Sequence, residues 1–140
     1  MVDSITSEVI RHSMLSATQE MARNLCRTAY NTVVYEIHDY GIGLHDPAGN
    51  TIAEAPGIAI FSGANDFGIQ KTIEEMGTGD MFPGDVFMLN YPYWSAAHTL
   101  DVLVFCPIFA SEDRLIGFAS CRVHLLDLKQ RDVGYVLDST

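Results

Sequence analysis

A chain of 140 residues fits one domain on the usual scale of ~100–200 residues and is long enough to bury about 68–70% of its unfolded surface. Apolar residues make up 48% and charged residues 19%, which excludes disordered, collagen-like and coiled-coil chains. Eighteen acids against eight Lys and Arg give a net charge of −10 and a pI near 4.6, which argues against nucleic acid or an anionic membrane as partner and favours solubility or cation binding.

Cys26, Cys106 and Cys121 form no C-x-x-C pair and leave an odd thiol, so a secreted disulfide framework is not indicated. The first eight residues lack the basic and apolar regions of a signal peptide, and the low-charge stretches fall short of the ~20 residues of a membrane helix. The reading is a cytoplasmic chain that spans no membrane.

In chain order, Val9, Ile10, Met14, Ala17, Met21, Leu25 and Val33 recur in helical steps, with Asp3 or Ser4 as cap and a loosening near Asn31. Val33, Val34, Tyr35 and Ile37 then read as β-prone. Gly41 to Ile52 predicts a strand, a turn at Asp46-Pro-Ala-Gly-Asn50 and a return strand. Residues 66–76 predict a short helix capped by Asn65 or Asp66, with Ile69, Ile73 and Met76 on one side and Gly77 at its end. Strand-like runs follow at Asp85–Leu89, Asp101–Phe109 and Leu115–His124, the last two apolar enough to suggest burial on both faces. The fold class is α+β: a long N-terminal helix, β-hairpins, a short helix and a mainly antiparallel sheet. With no repeat or linker, residues 1–140 read as a single domain.

A two-residue hairpin loop at Glu112-Asp113 makes Phe109 face Ile116, Phe105 face Ser120 and Asp101 face His124. A loop one residue longer destroys that shared face. His98 lies three residues before Asp101. Two imidazoles and one carboxylate form a ligand set that suits a divalent transition metal with positions left open, although a plain Asp–His hydrogen bond fits the spacing equally. Asp127, three residues past His124, is either a partner orienting an imidazole or a turn residue. His38 and Asp39 join the site if the first hairpin packs against it; otherwise they are solvated. His12 and His45 receive no role.

Other chemistries lack their motifs. There is no phosphate loop, no G-x-G-x-x-G after a strand and no G-x-S-x-G elbow. Cys26, Cys106 and Cys121 read as core residues. Tyr91, Tyr93 and Trp94 either wall an apolar pocket or cover the sheet edge.

The ordered string Ser7-Glu-Val-Ile-Arg11, Arg27-Thr-Ala-Tyr30, Pro83-Gly-Asp-Val-Phe87, Asn90-x-Pro-Tyr93, then His98, Asp101 and His124, resembles the hydantoinase B/oxoprolinase family across essentially all 140 residues. That family takes in subunits of ATP-dependent hydantoinases, oxoprolinases and lactam hydrolases, and of acetone and acetophenone carboxylases. The resemblance implies His98, Asp101 and His124 as metal ligands and leaves Mn, Fe or Zn open; Asp127 and Asp39 are candidates behind them from their position in the sequence alone. It also implies a longer subunit, of which this chain is an N-terminal part, working with a hydantoinase A-like subunit that binds ATP. The family commonly has Asn-Asp-Pro-Tyr and then Gly-Gly, where this chain has Asn90-Tyr-Pro-Tyr93 and Ala96-Ala97. The implied activity is opening of a cyclic amide or carboxylation of a ketone, with catalytic residues unassigned. The alternative is a noncatalytic remnant or assembly module with a structural His/Asp cluster.

Overall fold

A computed structural model describes residues 2–55, 57–61, 63–95, 97–111 and 114–126. The first element, α1 (Ser4–Thr28), begins where Asp3 leaves helical geometry and its carboxylate accepts the backbone N–H groups of Ile5 and Thr6, both at 3.0 Å. Those bonds satisfy two of the donors that every helix start leaves open. The helix stops at Ala29 rather than running on towards Val33. Val33, Val34 and Tyr35, β-prone in sequence, form instead a helical turn, α2 (Thr32–Tyr35), because the Asn31 side chain caps it by accepting Val33 N–H at 3.0 Å. A local cap has overridden intrinsic propensity here.

Five antiparallel strands follow: β1 (Tyr40–His45), β2 (Thr51–Ala55), β3 (Phe87–Leu89), β4 (Asp101–Ser111) and β5 (Arg114–His124), in the order β2-β1-β5-β4-β3. The turn between β1 and β2 is held by the Asp46 carboxylate, which accepts the N–H groups of Ala48 and Asn50 at 2.9 Å each. A 3-10 turn (Ala59–Phe61) and a second long helix, α3 (Ala64–Met76), lie between β2 and β3, and a short α4 (Pro92–Ser95) precedes β4. The expected strand at Asp85 begins only at Phe87.

Two cores sit on the two faces of this sheet. Ala22, Met21, Leu25 and Cys26 of α1 pack with Tyr40, Ile42, Ala55, Cys121 and Val123. Ile69 and Ile73 of α3 pack with Leu103, Phe105, Phe118, Phe87 and Leu89. The apolar β4 run is thus buried unequally: Leu103 and Phe105 are sealed under α3, whereas Val104, Cys106 and Ile108 on the other face are half-buried. The N-terminal turns of α1 project past this packing, and Ile5, Val9 and Ile10 stay exposed.

The predicted caps of α3 are corrected. Gly63, at φ 73°, is the N-cap, and Asn65 and Asp66 point instead at the sheet. The reason is energetic: both side chains find buried partners there that an exposed cap position does not offer.

Gly41 in β1 is where the connection after β2 approaches the sheet. A Cβ at this position would stand 2.7 Å from the Phe61 Cβ, an atom that cannot rotate away. Gly41→Ala is therefore expected to lower unfolding stability by about 1–3 kcal/mol, read from urea denaturation, with secondary structure retained at low denaturant.

Candidate metal centre

The β4–β5 pairing brings Asp101 opposite His124, and Phe105 opposite Ser120, as the two-residue loop requires. Near the hairpin end the register slips, so Phe109 faces Leu115 rather than Ile116. A bulge absorbs that slip before it reaches the functional end. The loop residues themselves lie outside the described residues.

Asp101 is 3% exposed and His124 is 3% exposed, and His124 Nδ1 lies 3.0 Å from Asp101 Oδ1. The preceding turn closes through Asp101 N–H donating to the His98 carbonyl at 3.0 Å, which swings the His98 ring back over the strand end. His98 Nδ1 then reaches Asp101 Oδ2 at 3.3 Å. One carboxylate is thus straddled by two imidazoles whose planes stand at 89°. One donor atom from each of the three residues lies within 4.8 Å of the other two.

Asp39 comes to the same place because β1 pairs with β5, setting Tyr40 beside Val123 and Asp39 just beyond the sheet end. Its carbonyl accepts His124 N–H at 3.2 Å. Burial raises the Asp39 carboxyl above the ordinary carboxylate range, the nearby Asp101 charge adds to this, and His124 and His98 oppose it. Asp127 lies outside the described residues.

Asp39, His98, Asp101 and His124 line a cavity of about 190 Å³ whose remaining wall is Ile58, Ile60, Phe61 and Ala97. The aromatic trio does not supply this wall: Tyr91 packs on Tyr93 and Trp94 at centroid distances of 5.4 and 6.1 Å. Behind Phe61 sits Arg122, fully buried, its guanidinium donating to the carbonyls of Ser95 at 2.5 Å and Ala64 at 3.0 Å and lying 5.7 Å from the Phe61 ring centroid. Burial lowers its pKa to about 10, with the Asp101 charge opposing. Burial also lifts the Cys121 thiol to about 11, in keeping with a core residue rather than a reactive one.

Sequence reasoning missed a second cluster. His45 Nε2 meets Ser120 Oγ at 2.7 Å, and His45 Nδ1 meets Asp66 Oδ1 at 3.0 Å. Asp66 also accepts the hydroxyl of Thr51, and Asn65 donates to Ser120 Oγ at 3.0 Å. The acid–imidazole–hydroxyl order matches that of a hydrolase triad. Here, however, His45 and Ser120 are each 1% exposed, so the network fastens α3 to the sheet rather than meeting a substrate. No local motif marks it, since its members are joined by register alone.

The chain matches the hydantoinase B/oxoprolinase family over residues 3–140. It belongs to that family. It is 29% identical over 127 residues to the 5-oxoprolinase of Saccharomyces cerevisiae, covering 91% of this chain and 10% of that protein. A protein of Pseudomonas sp. (strain NS671), provisionally named as one of the subunits of a D-/L-hydantoinase, is 34% identical over 136 residues, covering 95% of this chain and 23% of the relative. Among solved structures, an ATP-dependent caprolactamase from Pseudomonas jessenii shares the fold at a TM-score of 0.73 and 25% identity, over 89% of this chain and 21% of that one. The chain therefore spans between about a tenth and a quarter of the length of these relatives. Among the described residues, no helix is long and apolar enough to cross a membrane.

Burial depresses the His45 pKa, with Asp66, Glu54 and Asp46 opposing. An unfolded histidine takes up a proton near pH 6.5, where folded His45 does not, so the unfolded state binds more protons below that pH and stability falls with acid. The urea midpoint is expected to drop between pH 7 and pH 5, and to drop less in His45→Gln. Ser120→Ala, which strands buried partners, should cost about 1–3 kcal/mol at pH 7. Equal acid sensitivity in wild type and His45→Gln would remove His45 as the source.

Proposed function

We propose that His98, Asp101 and His124 hold a divalent transition metal in the catalytic centre of an ATP-dependent amidohydrolase of the hydantoinase/oxoprolinase type, or of a related ketone carboxylase. The observation that carries this reading is the convergence of two imidazoles on one buried carboxylate at a cavity wall. The donor set fits such an ion. Contacts of 3.0 and 3.3 Å between nitrogen and oxygen are close to the ~3.4 Å separating donors around a tetrahedral ion with bonds of about 2.0–2.2 Å. Two neutral nitrogens and one carboxylate suit Mn, Fe or Zn and leave part of the ion's charge uncompensated. Bound there, the ion supplies Lewis acidity towards a carbonyl oxygen or a water molecule.

The chain's own residues supply the rest. Asp39, partly desolvated on the same cavity, stands ready to accept or return a proton. Ile58, Ile60 and Phe61 keep that side of the cavity apolar, which suits the body of a small lactam, hydantoin or ketone. The sequence has no phosphate-binding loop, whereas the caprolactamase relative is ATP-dependent. ATP is accordingly assigned to a hydantoinase A-like partner, and this chain to part of a longer subunit in a cytoplasmic hetero-oligomer. The short coverage of the relatives and the three free thiols support those two assignments.

Metal analysis after loading with Mn²⁺, Fe²⁺ or Zn²⁺ tests the reading. Close to one ion per chain is expected, with loss in His98→Ala and in His124→Ala and a roughly 10–100-fold weaker affinity in Asp39→Asn. His98 is about half exposed, so His98→Ala should remain folded and is the decisive variant. A protein that takes up no metal, with folding unchanged in His98→Ala, would identify the cluster as structural and the chain as an assembly module.

A further inference from the structure

On the opposite side of the sheet from the metal centre, α1 carries Arg23 and Arg27 one helical turn apart. Like charges at this spacing repel and weaken a helix. By contrast, Arg11 pairs with Glu8 at 2.8 Å, and Lys71 pairs with Glu74. Among the described residues, the side chains of Arg23 and Arg27 have no hydrogen-bonding or ionic partner. Both instead line a cavity of about 420 Å³ with Ala22, Cys26, His38 and Tyr40. Among the described residues no carboxylate lines it, in a chain of net charge −10.

The cavity has a defined chemistry. Ala22, Cys26 and Tyr40 belong to the core beneath it and offer an apolar floor. His38 closes one side, held at φ 60° with its ring 5.7 Å from that of Tyr40. A left-handed backbone is unusual for a residue other than glycine. At this corner it sends consecutive side chains into different cavities: His38 faces Arg23 and Arg27, while Asp39 faces His98, Asp101 and His124.

We propose that this cavity binds a small organic phosphate, with its apolar or aromatic body on Ala22, Cys26 and Tyr40 and its phosphoryl group between Arg23 and Arg27. Two guanidinium forks match a dianion bearing several acceptor oxygens, and Arg is the cation best suited to that planar, bidentate recognition. The apolar floor selects a phosphate ester over inorganic phosphate. The site is independent of the metal reading, since none of its residues belongs to that ligand set.

Titration with phenyl phosphate in EDTA, followed by calorimetry and by amide chemical shifts, tests the proposal. Expected are shifts concentrated on residues 19–27 and 36–40, tighter binding than inorganic phosphate, and weakening as salt rises from 50 to 300 mM. The double variant Arg23→Gln/Arg27→Gln keeps good helix formers at both positions and should bind at least tenfold more weakly. His98→Ala should bind as wild type. Absence of binding, binding equal to that of inorganic phosphate, or an unchanged affinity in the double variant would each overturn the proposal.

Discussion

The antiparallel pairing of β4 with β5 is the constraint on which the rest of the molecule depends. Eleven residues in each strand share one alternation, so a single register decides at once which side chains enter the α3 core and which meet at the strand ends. With Asp101 opposite His124, the set Leu103, Phe105, Phe118 and Ser120 falls on the buried face. A slip by one residue would expose that core and separate the acid from the imidazole together. Core packing and the meeting of the acid with the imidazole thus depend on the same hydrogen-bond ladder, and its register shifts lie near the hairpin loop, away from that end.

That buried face is unusually polar for a core of its size. Arg122, Ser120, His45, Asn65 and Ser95 are all sealed from solvent, and Asn65 Oδ1, Ser95 Oγ and Arg122 Nε lack partners among the described residues. Buried groups of this kind cost stability unless satisfied. What they provide is position. Asn65 and Asp66 tie the first turn of α3 to β1, β2 and β5, and Arg122 ties Ala64 and Ser95 to β5. Those same ties fix Phe61, the wall of the metal-site cavity, between Gly41 on one side and the guanidinium on the other. Hydrophobic contact alone specifies a face, whereas directional bonds specify where along it a helix stops.

Much of the hairpin was legible in the residues because period-two alternation and a short polar loop leave few registers open. Asp101, His124 and the nearby His98 could be brought together from spacing alone. The β1–β5 pairing was not legible: nothing local in Tyr40–His45 says which strand it will lie beside, so Asp39 and His45 could not be placed. Val33–Tyr35 misled in the other direction, since a single capping amide at Asn31 outweighs three β-prone residues. Asn65 and Asp66 misled likewise, because good capping residues gain more from buried partners across the sheet than from the helix end they precede.

Charge completes the picture. The net −10 does not come to a focus at the proposed metal centre, where only Asp39 and Asp101 contribute carboxylates among the described residues. There the two acids lie beside two imidazoles on one small cavity, where partial desolvation strengthens each interaction beyond its value at the surface. The raised Asp39 carboxyl is the sign of that desolvation. The same reasoning applies to the arginine-lined cavity behind the His38–Asp39 corner. Over an acidic surface, two guanidiniums produce a local field of opposite sign only if no carboxylate shares their cavity, and none of its described lining residues carries one. The sheet end thus sets an acid-bearing cavity and an arginine-lined one on opposite faces, with consecutive residues of a single left-handed corner lining each.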